Sequence, residues 1–203
     1  MPLALSQKLN EFGQSLGCVF NSFDVKTISH EGPRVKLSNG EKCLTFDHAV
    51  IATGAWSESL LKQLNYKLPI EAERGYSLDI TKSTDAQLNR PVASAERRFI
   101  ITPMSHGLRL AGTVEFAGLT QKANMKRAAT LHKNAQFILN ELPKLSEEKN
   151  HAWMGCRPSL PDSLPVICSA PNHKNITFAL GHQHLGLTLG AITGKLVGQI
   201  ISN

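Results

Sequence analysis

The sequence has 203 residues, of which 41% are hydrophobic and 19% are charged, and its formal net charge is +6. These values are typical of a globular protein with one domain or two small ones. Aromatic residues make up 6% of the chain and no basic run is longer than two residues, which argues against a nucleic-acid-binding surface.

The four cysteines are widely spaced and form no C-x-x-C pair. Because the N-terminus also shows no signal-peptide pattern, we predict free thiols and a cytoplasmic location. The longest apolar stretch, residues 185–194, is about half of a membrane span and is followed by Lys195. The sequence therefore predicts at most peripheral contact with the inner membrane.

The first quarter of the chain predicts one helix and three short strands. Apolar residues at helical spacing predict a helix over residues 3–16. Strands are predicted over Cys18–Ile28 and Arg34–Leu37. The dipeptide Asn39-Gly40 favours a two-residue hairpin turn into a third strand, over Lys42–Phe46.

Residues 47–57 read D-H-A-V-I-A-T-G-A-W-S. Small and β-branched apolar residues followed by Thr-Gly predict a buried strand that ends in a glycine turn, and a short helix should follow over residues 57–64.

The central part of the chain predicts an antiparallel sheet and one helix. Strands are expected over residues 69–80 and 98–116, the latter with turns near residues 105–107 and at Gly112. A broad apolar stripe predicts a helix over residues 124–142 that Pro143 ends, followed by a solvated loop over residues 146–150.

The C-terminal quarter combines two features that suit a binding site. After an apolar strand over residues 176–180, the turn G-H-Q-H-L-G-L-T leads into the last helix. The first N–H groups of a helix have no partner inside it, so they favour an anion or an electron-rich ring. Upstream, Gly155 and Pro158 flank Arg157, whose guanidinium could bind a carboxylate through two hydrogen bonds.

The last helix also carries glycines at positions 186, 190, 194 and 198, four residues apart and therefore near one face. Each glycine in a helix interior costs about 1 kcal/mol relative to alanine. We therefore predict that this face packs closely against a partner surface.

Two blocks in this quarter carry a family resemblance. W-x-G-x-R-P-x-x-P-D-x-x-P-x-I begins at Trp153, and G-H-x-H-L-G-L-T begins at Gly181. Together they resemble the C-terminal part of FAD-dependent D-amino-acid and D-hydroxyproline dehydrogenases, in the superfamily of glycine oxidase and D-amino-acid oxidase. The chain is similar to that family over essentially its whole length.

The resemblance implies an α/β (α+β) fold, an incomplete two-domain flavoprotein. Part of a Rossmann-like FAD-binding domain would occupy residues 1–67, and the chain would return to it over residues 153–203. An antiparallel-sheet substrate domain would occupy residues 68–152. The implied reaction transfers a hydride from the α-carbon of a small D-amino or imino acid to FAD.

The resemblance also implies site residues. Arg157 matches the arginine that clamps the substrate carboxylate, although a surface salt bridge is the alternative. Tyr76, in Arg-Gly-Tyr, matches an aromatic position near the substrate, or is an ordinary strand tyrosine. The residues assigned to the cofactor are Ala52, Thr53, Gly54, Gly155, Gly181, His182, Gln183, His184, Leu185, Gly186, Leu187 and Thr188.

Other polar side chains are possible site residues but are not expected to form a site. His173, His182, His184 and Cys168 lack the spacing of a metal site, so no metal is expected. Arg109 and Glu115 alternate along a predicted strand, and solvent-facing charges are the default there.

The sequence contains no G-x-G-x-x-G, the glycine loop that binds the pyrophosphate of a dinucleotide. In the resembled family this loop begins a chain about twice as long. We therefore expect weak or no FAD binding by this chain alone, unless a partner subunit or an N-terminal half supplies the loop. The alternative function is a truncated remnant or interaction module that keeps the fold without binding FAD.

Overall fold

The structure is a computed structural model that describes residues 2–81, 88–139, 142, 145 and 150–202. The chain forms two compact units, Met1–Asp47 and His48–Asn203. Both units contain antiparallel strands, and the second combines them with helices in a mixed α/β arrangement.

The first unit contains helix α1 (Pro2–Ser15) and an antiparallel sheet of β1 (Thr27–Glu31), β2 (Arg34–Ser38) and β3 (Cys43–Phe46), in the order β1-β2-β3. The predicted hairpin between β2 and β3 is confirmed, but the two-residue turn Asn39-Gly40 is wrong, because Ser38 pairs with Cys43 and residues 39–42 connect the strands. The Asn39 side-chain oxygen accepts hydrogen bonds from the N–H groups of Glu41 and Lys42, which stabilises the turn.

The prediction of a strand over Cys18–Ile28 is wrong, because the strand begins at Thr27. Its partner β2 lies between two turns and has only five residues, so it pairs with only five residues of β1. Residues 18–26 precede the strand; the N–H of Lys26 still donates a 2.8 Å hydrogen bond to the carbonyl of Ser38, and the side chain of Val19 is 80% exposed.

The second unit contains a small mixed sheet. Strand β4 (Ala49–Ile51) is parallel to β11 (His173–Leu180), which pairs antiparallel with β10 (Val166–Ala170). Helix α2 (Glu58–Gln63) follows β4, and helix α4 (Gly186–Ser202) follows β11. Both strand-turn-helix connections predicted from the sequence are confirmed, but β4 is only partly buried, since Val50 is 41% exposed.

The larger sheet of this unit has five antiparallel strands in the order β6-β7-β8-β5-β9. Helix α3 (Lys126–Ala135) packs on one face of it. The strands are β5 (Glu71–Thr81), β6 (Val92–Ser94), β7 (Phe99–Met104), β8 (Gly107–Phe116) and β9 (Asn150–Ser159). The buried core between sheet and helix is apolar and consists of Leu78, Ile80, Phe99, Ile101, Leu108, Leu110, Leu131, Ala135 and Leu139.

The turn predicted at Gly112 is wrong, because β8 continues through this residue. The register against β5 shifts here instead, which is the mark of a β-bulge. A Cβ on Gly112 would lie 2.6 Å from the carbonyl oxygen of Arg98 and 2.7 Å from the Cα of Phe99. The glycine is therefore needed for a close approach of the main chain of β7.

The helix predicted over residues 124–142 is shorter in the structure. The helix ends at Ala135, and residues 136–138 form a turn in which the N–H of Ile138 donates a 2.9 Å hydrogen bond to the carbonyl of Ala135. Phe137 lies in this turn and is 69% exposed, and its ring stacks against the guanidinium of Arg97. Residues 140–141, 143–144 and 146–149 lie outside the described residues. The loop predicted over 146–150 is wrong at Asn150, which begins β9.

Among the described residues, the glycine face of helix α4 is open at three of its four glycines. A Cβ on Gly190, Gly194 or Gly198 would have no described heavy atom within 4 Å. Packing of this face against a partner stays a prediction. The 20 residues Gln183–Ser202 are long and apolar enough to span a membrane. This is weak evidence, because core helices of soluble proteins have the same length and composition. The apolar stretch of residues 185–194 is about half of a membrane span, but the helix that contains it continues to Ser202.

Candidate active site

The two turns predicted to contact the cofactor lie at the same edge of the small sheet. Residues 52–54 follow β4 and residues 181–188 follow β11. Because β4 and β11 are parallel, their carboxyl ends point to one edge, where open α/β sheets bind their ligands. The turns after both strands also contact β9, the strand that carries Arg157.

Two hydroxyl groups fix the first turn. Thr53 Oγ1 lies 2.9 Å from Ser57 Oγ, and Ser57 Oγ donates a 2.7 Å hydrogen bond to the carbonyl of Gly54. Ser57 is fully buried. Ala52 and Thr53 are exposed and Gly54 is half-buried, so the predicted cofactor residues of this turn remain accessible in the described chain.

Leu160 fixes the second turn. Gly181 has a φ of +77°, and a Cβ there would overlap the side chain of Leu160. The side-chain amide of Gln183 donates a 2.8 Å hydrogen bond to the Leu160 carbonyl. The N–H of Leu185 donates to the carbonyl of His182 at 2.9 Å, so this donor is used inside the turn. Gly186, Leu187 and Thr188 form the exposed first turn of α4.

His182 connects this turn to the buried side of α4. Its Nε2 lies 2.9 Å from Thr193 Oγ1, and Thr193 is the buried residue of that helix. Partial burial lowers the pKa of His182 below its ordinary value of 6.5. The imidazole is therefore held neutral in the folded protein near neutral pH.

This pKa shift predicts that mild acid destabilises the fold. A histidine whose pKa is lower in the folded than in the unfolded state contributes full stability above about pH 6.5. That contribution is lost as the pH falls below this value and through the lower folded pKa. We expect the Tm to fall between pH 8 and pH 5, and to fall less in His182→Gln. Equal pH dependence in both proteins would contradict the assignment.

Arg157 lies on the face of the large sheet that α3 does not cover. In the β5–β9 ladder it pairs with Glu73, while Gly155 pairs with Gly75. The guanidinium of Arg157 rests on Gly75, where a Cβ would overlap it. Gly155 lies under the indole ring of Trp153 in the same way. Both glycines thus leave space for a large side chain on this face.

A cavity of about 440 Å³ opens on this face, and the side chain of Arg157 is 32% exposed there. Cavities of this size hold small ligands. The lining residues are Gly75, Tyr76, Ser77, Asp79, Arg109, Ala111, His151, Ala152, Trp153 and Arg157.

A second charged pair borders the cavity. Arg109 donates two hydrogen bonds of 2.7 Å to the carboxylate of Asp79, and His106 lies 3.3 Å from the same group. The hydrogen bonds from Arg109 lower the pKa of Asp79, and those to Asp79 raise the pKa of Arg109. Both groups therefore remain charged over a wide pH range.

The solvent-facing position expected for Glu115 is wrong. The bulge at Gly112 places Glu115 opposite Arg74 of β5, on the face that α3 covers, whereas Arg109 is opposite Asp79. The hydrogen bond from the Tyr76 hydroxyl lowers the pKa of Glu115, and Arg127 and Arg74 act in the same direction.

Tyr76 and Arg157 belong to opposite faces of the sheet. Tyr76 is three positions along β5 from Glu73, the cross-strand partner of Arg157, and side chains alternate along a strand. Tyr76 is 2% exposed, and its hydroxyl donates to Glu115 at 2.5 Å and accepts from the N–H of Asn124 at 3.1 Å. The structure does not bring this hydroxyl to Arg157, and its place near the substrate stays a prediction.

The variant Tyr76→Phe tests whether the Tyr76 hydroxyl stabilises the fold or contributes to substrate binding. Removing the hydroxyl leaves the Asn124 N–H without this acceptor and Glu115 without this donor, so we expect a loss of about 1–3 kcal/mol in the free energy of unfolding. Urea denaturation measures it. Unchanged stability with weaker substrate binding would instead support the role implied by the family.

Sequence reasoning missed Glu73, which joins the substrate side of the site to the second turn. Its Oε1 lies 3.1 Å from Arg157 Nη1 and 3.0 Å from His184 Nε2. Its Oε2 accepts a 2.8 Å hydrogen bond from Ser159. No local pattern marks this residue, because its partners lie more than 80 residues away along the chain.

Comparison with known protein families matches residues 1–200 to the family described as FAD dependent oxidoreductase (DAO). A D-amino-acid oxidase of Bradyrhizobium diazoefficiens is 38% identical over 157 residues, which cover 77% of this chain and 37% of the relative. A D-amino acid dehydrogenase of Vibrio vulnificus is 32% identical over 201 residues, 97% of this chain and 47% of the relative. The chain spans about half the length, or less, of these curated relatives.

Solved structures confirm the predicted fold class. A glycine oxidase from Geobacillus kaustophilus superposes with a TM-score of 0.78 at 21% identity, covering 91% of this chain and 49% of that protein. An iminodiacetate oxidase from Chelativorans sp. BNC1 superposes with a TM-score of 0.84 at 17% identity, covering 98% of this chain and 54% of the other. At these identities the likeness establishes the fold alone.

Proposed function

Because this chain belongs to the family of FAD-dependent oxidoreductases, we propose that it supplies the substrate sheet and part of the cofactor site of an enzyme that oxidises the C–N bond of a small D-amino or imino acid. The names of its relatives, D-amino-acid oxidase and D-amino acid dehydrogenase, support this substrate class. We also propose the location that the sequence predicts, the cytoplasm with at most peripheral contact with the inner membrane, which the wide spacing of the four cysteines supports.

The residues present fit one part of FAD. The turn over residues 181–188 and the start of α4 offer main-chain N–H groups and a helix dipole, which suit the electron-rich end of a flavin ring. Residues 52–54 lie at the same sheet edge. The glycine loop for the pyrophosphate is absent from the sequence, so an N-terminal half or a partner subunit would supply it.

Bound FAD would supply the acceptor for the hydride of the substrate α-carbon. The residues of this chain would orient the substrate. Arg157, at the cavity of about 440 Å³, would bind the substrate carboxylate, and the neighbouring indole of Trp153 would form a wall. The observation that carries the proposal is the position of Arg157, on the strand that both cofactor turns contact.

Absorption spectroscopy tests the proposal. Purified chain is mixed with FAD, alone and together with a separate polypeptide carrying the N-terminal half of the Bradyrhizobium relative. We expect a protein-bound flavin band in the mixture, and bleaching of that band by a D-amino acid. A chain that leaves free FAD unchanged in both mixtures would favour the alternative, a remnant that keeps the fold without binding flavin.

A further inference from the structure

The carboxylate of Glu73 is buried yet contacts polar side chains of two separate elements. The residue is 7% exposed and lies on β5, between β8 and β9 in the larger sheet. The two hydrogen-bond donors, Arg157 and Ser159, come from β9, and Nε2 of His184, in the turn before α4, lies 3.0 Å from the same carboxylate. A buried carboxylate is costly unless it is paired and hydrogen-bonded, so these contacts hold the two elements together.

The contact leaves most of the Arg157 guanidinium available. Only Nη1 bonds to Glu73, and the guanidinium makes no other hydrogen bond to the residues that the structure describes. The guanidinium packs directly on the main chain of Gly75, where a Cβ would overlap it. Arginine has five N–H donors in a fixed plane, so fixing one end sets the direction in which the others point.

His184 shares the same oxygen of Glu73. Its Nε2 lies 3.0 Å from Oε1, the atom that also accepts from Arg157 at 3.1 Å. A shift of the Glu73 carboxylate therefore moves the partner of the arginine and the partner of the histidine together. His184 lies in the short helical turn Gln183–Leu185, next to the first residues of α4.

We propose that Glu73 is a positioning residue that fixes Arg157 and His184 relative to each other. Building on the proposed function, this contact aligns the group that holds the substrate carboxylate with the turn that faces the cofactor. Glu73 touches neither substrate nor cofactor in this proposal, and it acts through its two partners.

The test compares Glu73→Gln with a matched control in the FAD-loaded protein. Glutamine keeps the size of the side chain but removes the charge, so the salt bridge to Arg157 is lost. We expect KM for a D-amino acid and the Kd of acetate, read from the flavin spectrum, to rise about tenfold with kcat changed less than about twofold. Glu71→Gln, an exposed glutamate two residues earlier on the same strand, should leave all three values unchanged.

A second variant separates positioning from local packing. Ser159→Ala removes one hydrogen bond to Glu73 but leaves the charge and both partners in place. It should change KM less than Glu73→Gln does. An equal effect of the two variants, or no effect of Glu73→Gln on acetate binding, would overturn the proposal. Where Glu73→Gln does not fold, Glu73→Asp shortens the side chain by one methylene and is expected to act in the same direction.

Nuclear magnetic resonance of the chain without FAD tests the contact independently of the proposed function. The Nε–Hε signal of Arg157 is identified as the one missing from Arg157→Lys. In the unmodified chain we expect slow rotation of the guanidinium, and in Glu73→Gln faster rotation. Equal rotation in both proteins would overturn the inference. Failure of the chain to bind FAD in any mixture would count against the proposed function and leave this result standing.

Discussion

Replacing Arg157 with lysine is expected to raise KM for the amino-acid substrate roughly 10- to 100-fold in the FAD-loaded protein, while the flavin stays bound. A hydrogen bond to a charged group contributes about 1.5–3 kcal/mol, and each 1.4 kcal/mol changes a binding constant tenfold. Lysine is a point charge and cannot form the planar pair of hydrogen bonds that arginine forms with a carboxylate.

Lysine is a sharper test than alanine, because it keeps a positive charge beside the buried Glu73. Alanine would leave that carboxylate without its cationic partner and could lower stability for a separate reason. Steady-state kinetics give KM and kcat, and the visible spectrum gives flavin content. Arg34→Lys, a surface position paired with Asp47 at 3.0 Å, is the control with no expected change in KM. Loss of flavin with an unchanged KM would assign Arg157 a structural role.

Gly112→Ala is expected to lower the free energy of unfolding by about 1–3 kcal/mol, the usual cost of forcing atoms into a packed site. The new Cβ would lie 2.6 Å from the Arg98 carbonyl oxygen and 2.7 Å from the Phe99 Cα. These are main-chain atoms, so the strain can be relieved only by moving β7 against β8. Urea denaturation at constant pH measures the change.

Gly190→Ala is the matched control, because the same methyl group is added in the interior of an exposed helix. No described heavy atom lies within 4 Å of its Cβ position. Alanine is favoured over glycine in a helix by about 1 kcal/mol, so this variant should be more stable than the unmodified chain. The two substitutions should therefore have opposite signs. A neutral Gly112→Ala would contradict the close approach of β7 at the bulge.

Features that depend on neighbouring residues could be predicted from the sequence. The hairpin between β2 and β3 and the strand-turn connections at residues 47–57 and 176–188 follow from turn chemistry and local apolar runs. These connections position the two turns that are predicted to contact the cofactor, so the placement of both turns at one sheet edge was predictable. Arg157 was also singled out from the sequence, because its flanking residues match an ordered motif, and its role in substrate binding stays a prediction.

Features that depend on distant partners could not be predicted. A glutamate in a strand usually faces solvent, and only the β5–β9 ladder shows that Glu73 is buried against Arg157. An isolated glycine in a strand fits a turn or a bulge equally well, and the main chain of β7 decides between them at Gly112. Regular alternation would have placed Glu115 on the same face as Arg109, because the bulge between them is not visible in the local pattern.

The contact between Gly75 and the Arg157 guanidinium has a consequence for how this sequence can vary. Every amino acid other than glycine carries a Cβ, and at position 75 that atom would overlap the guanidinium of Arg157. Because the end of an arginine side chain moves easily, most such variants should still fold. In a saturation library, position 75 should thus tolerate substitution when expression is scored and accept only glycine when substrate turnover is scored.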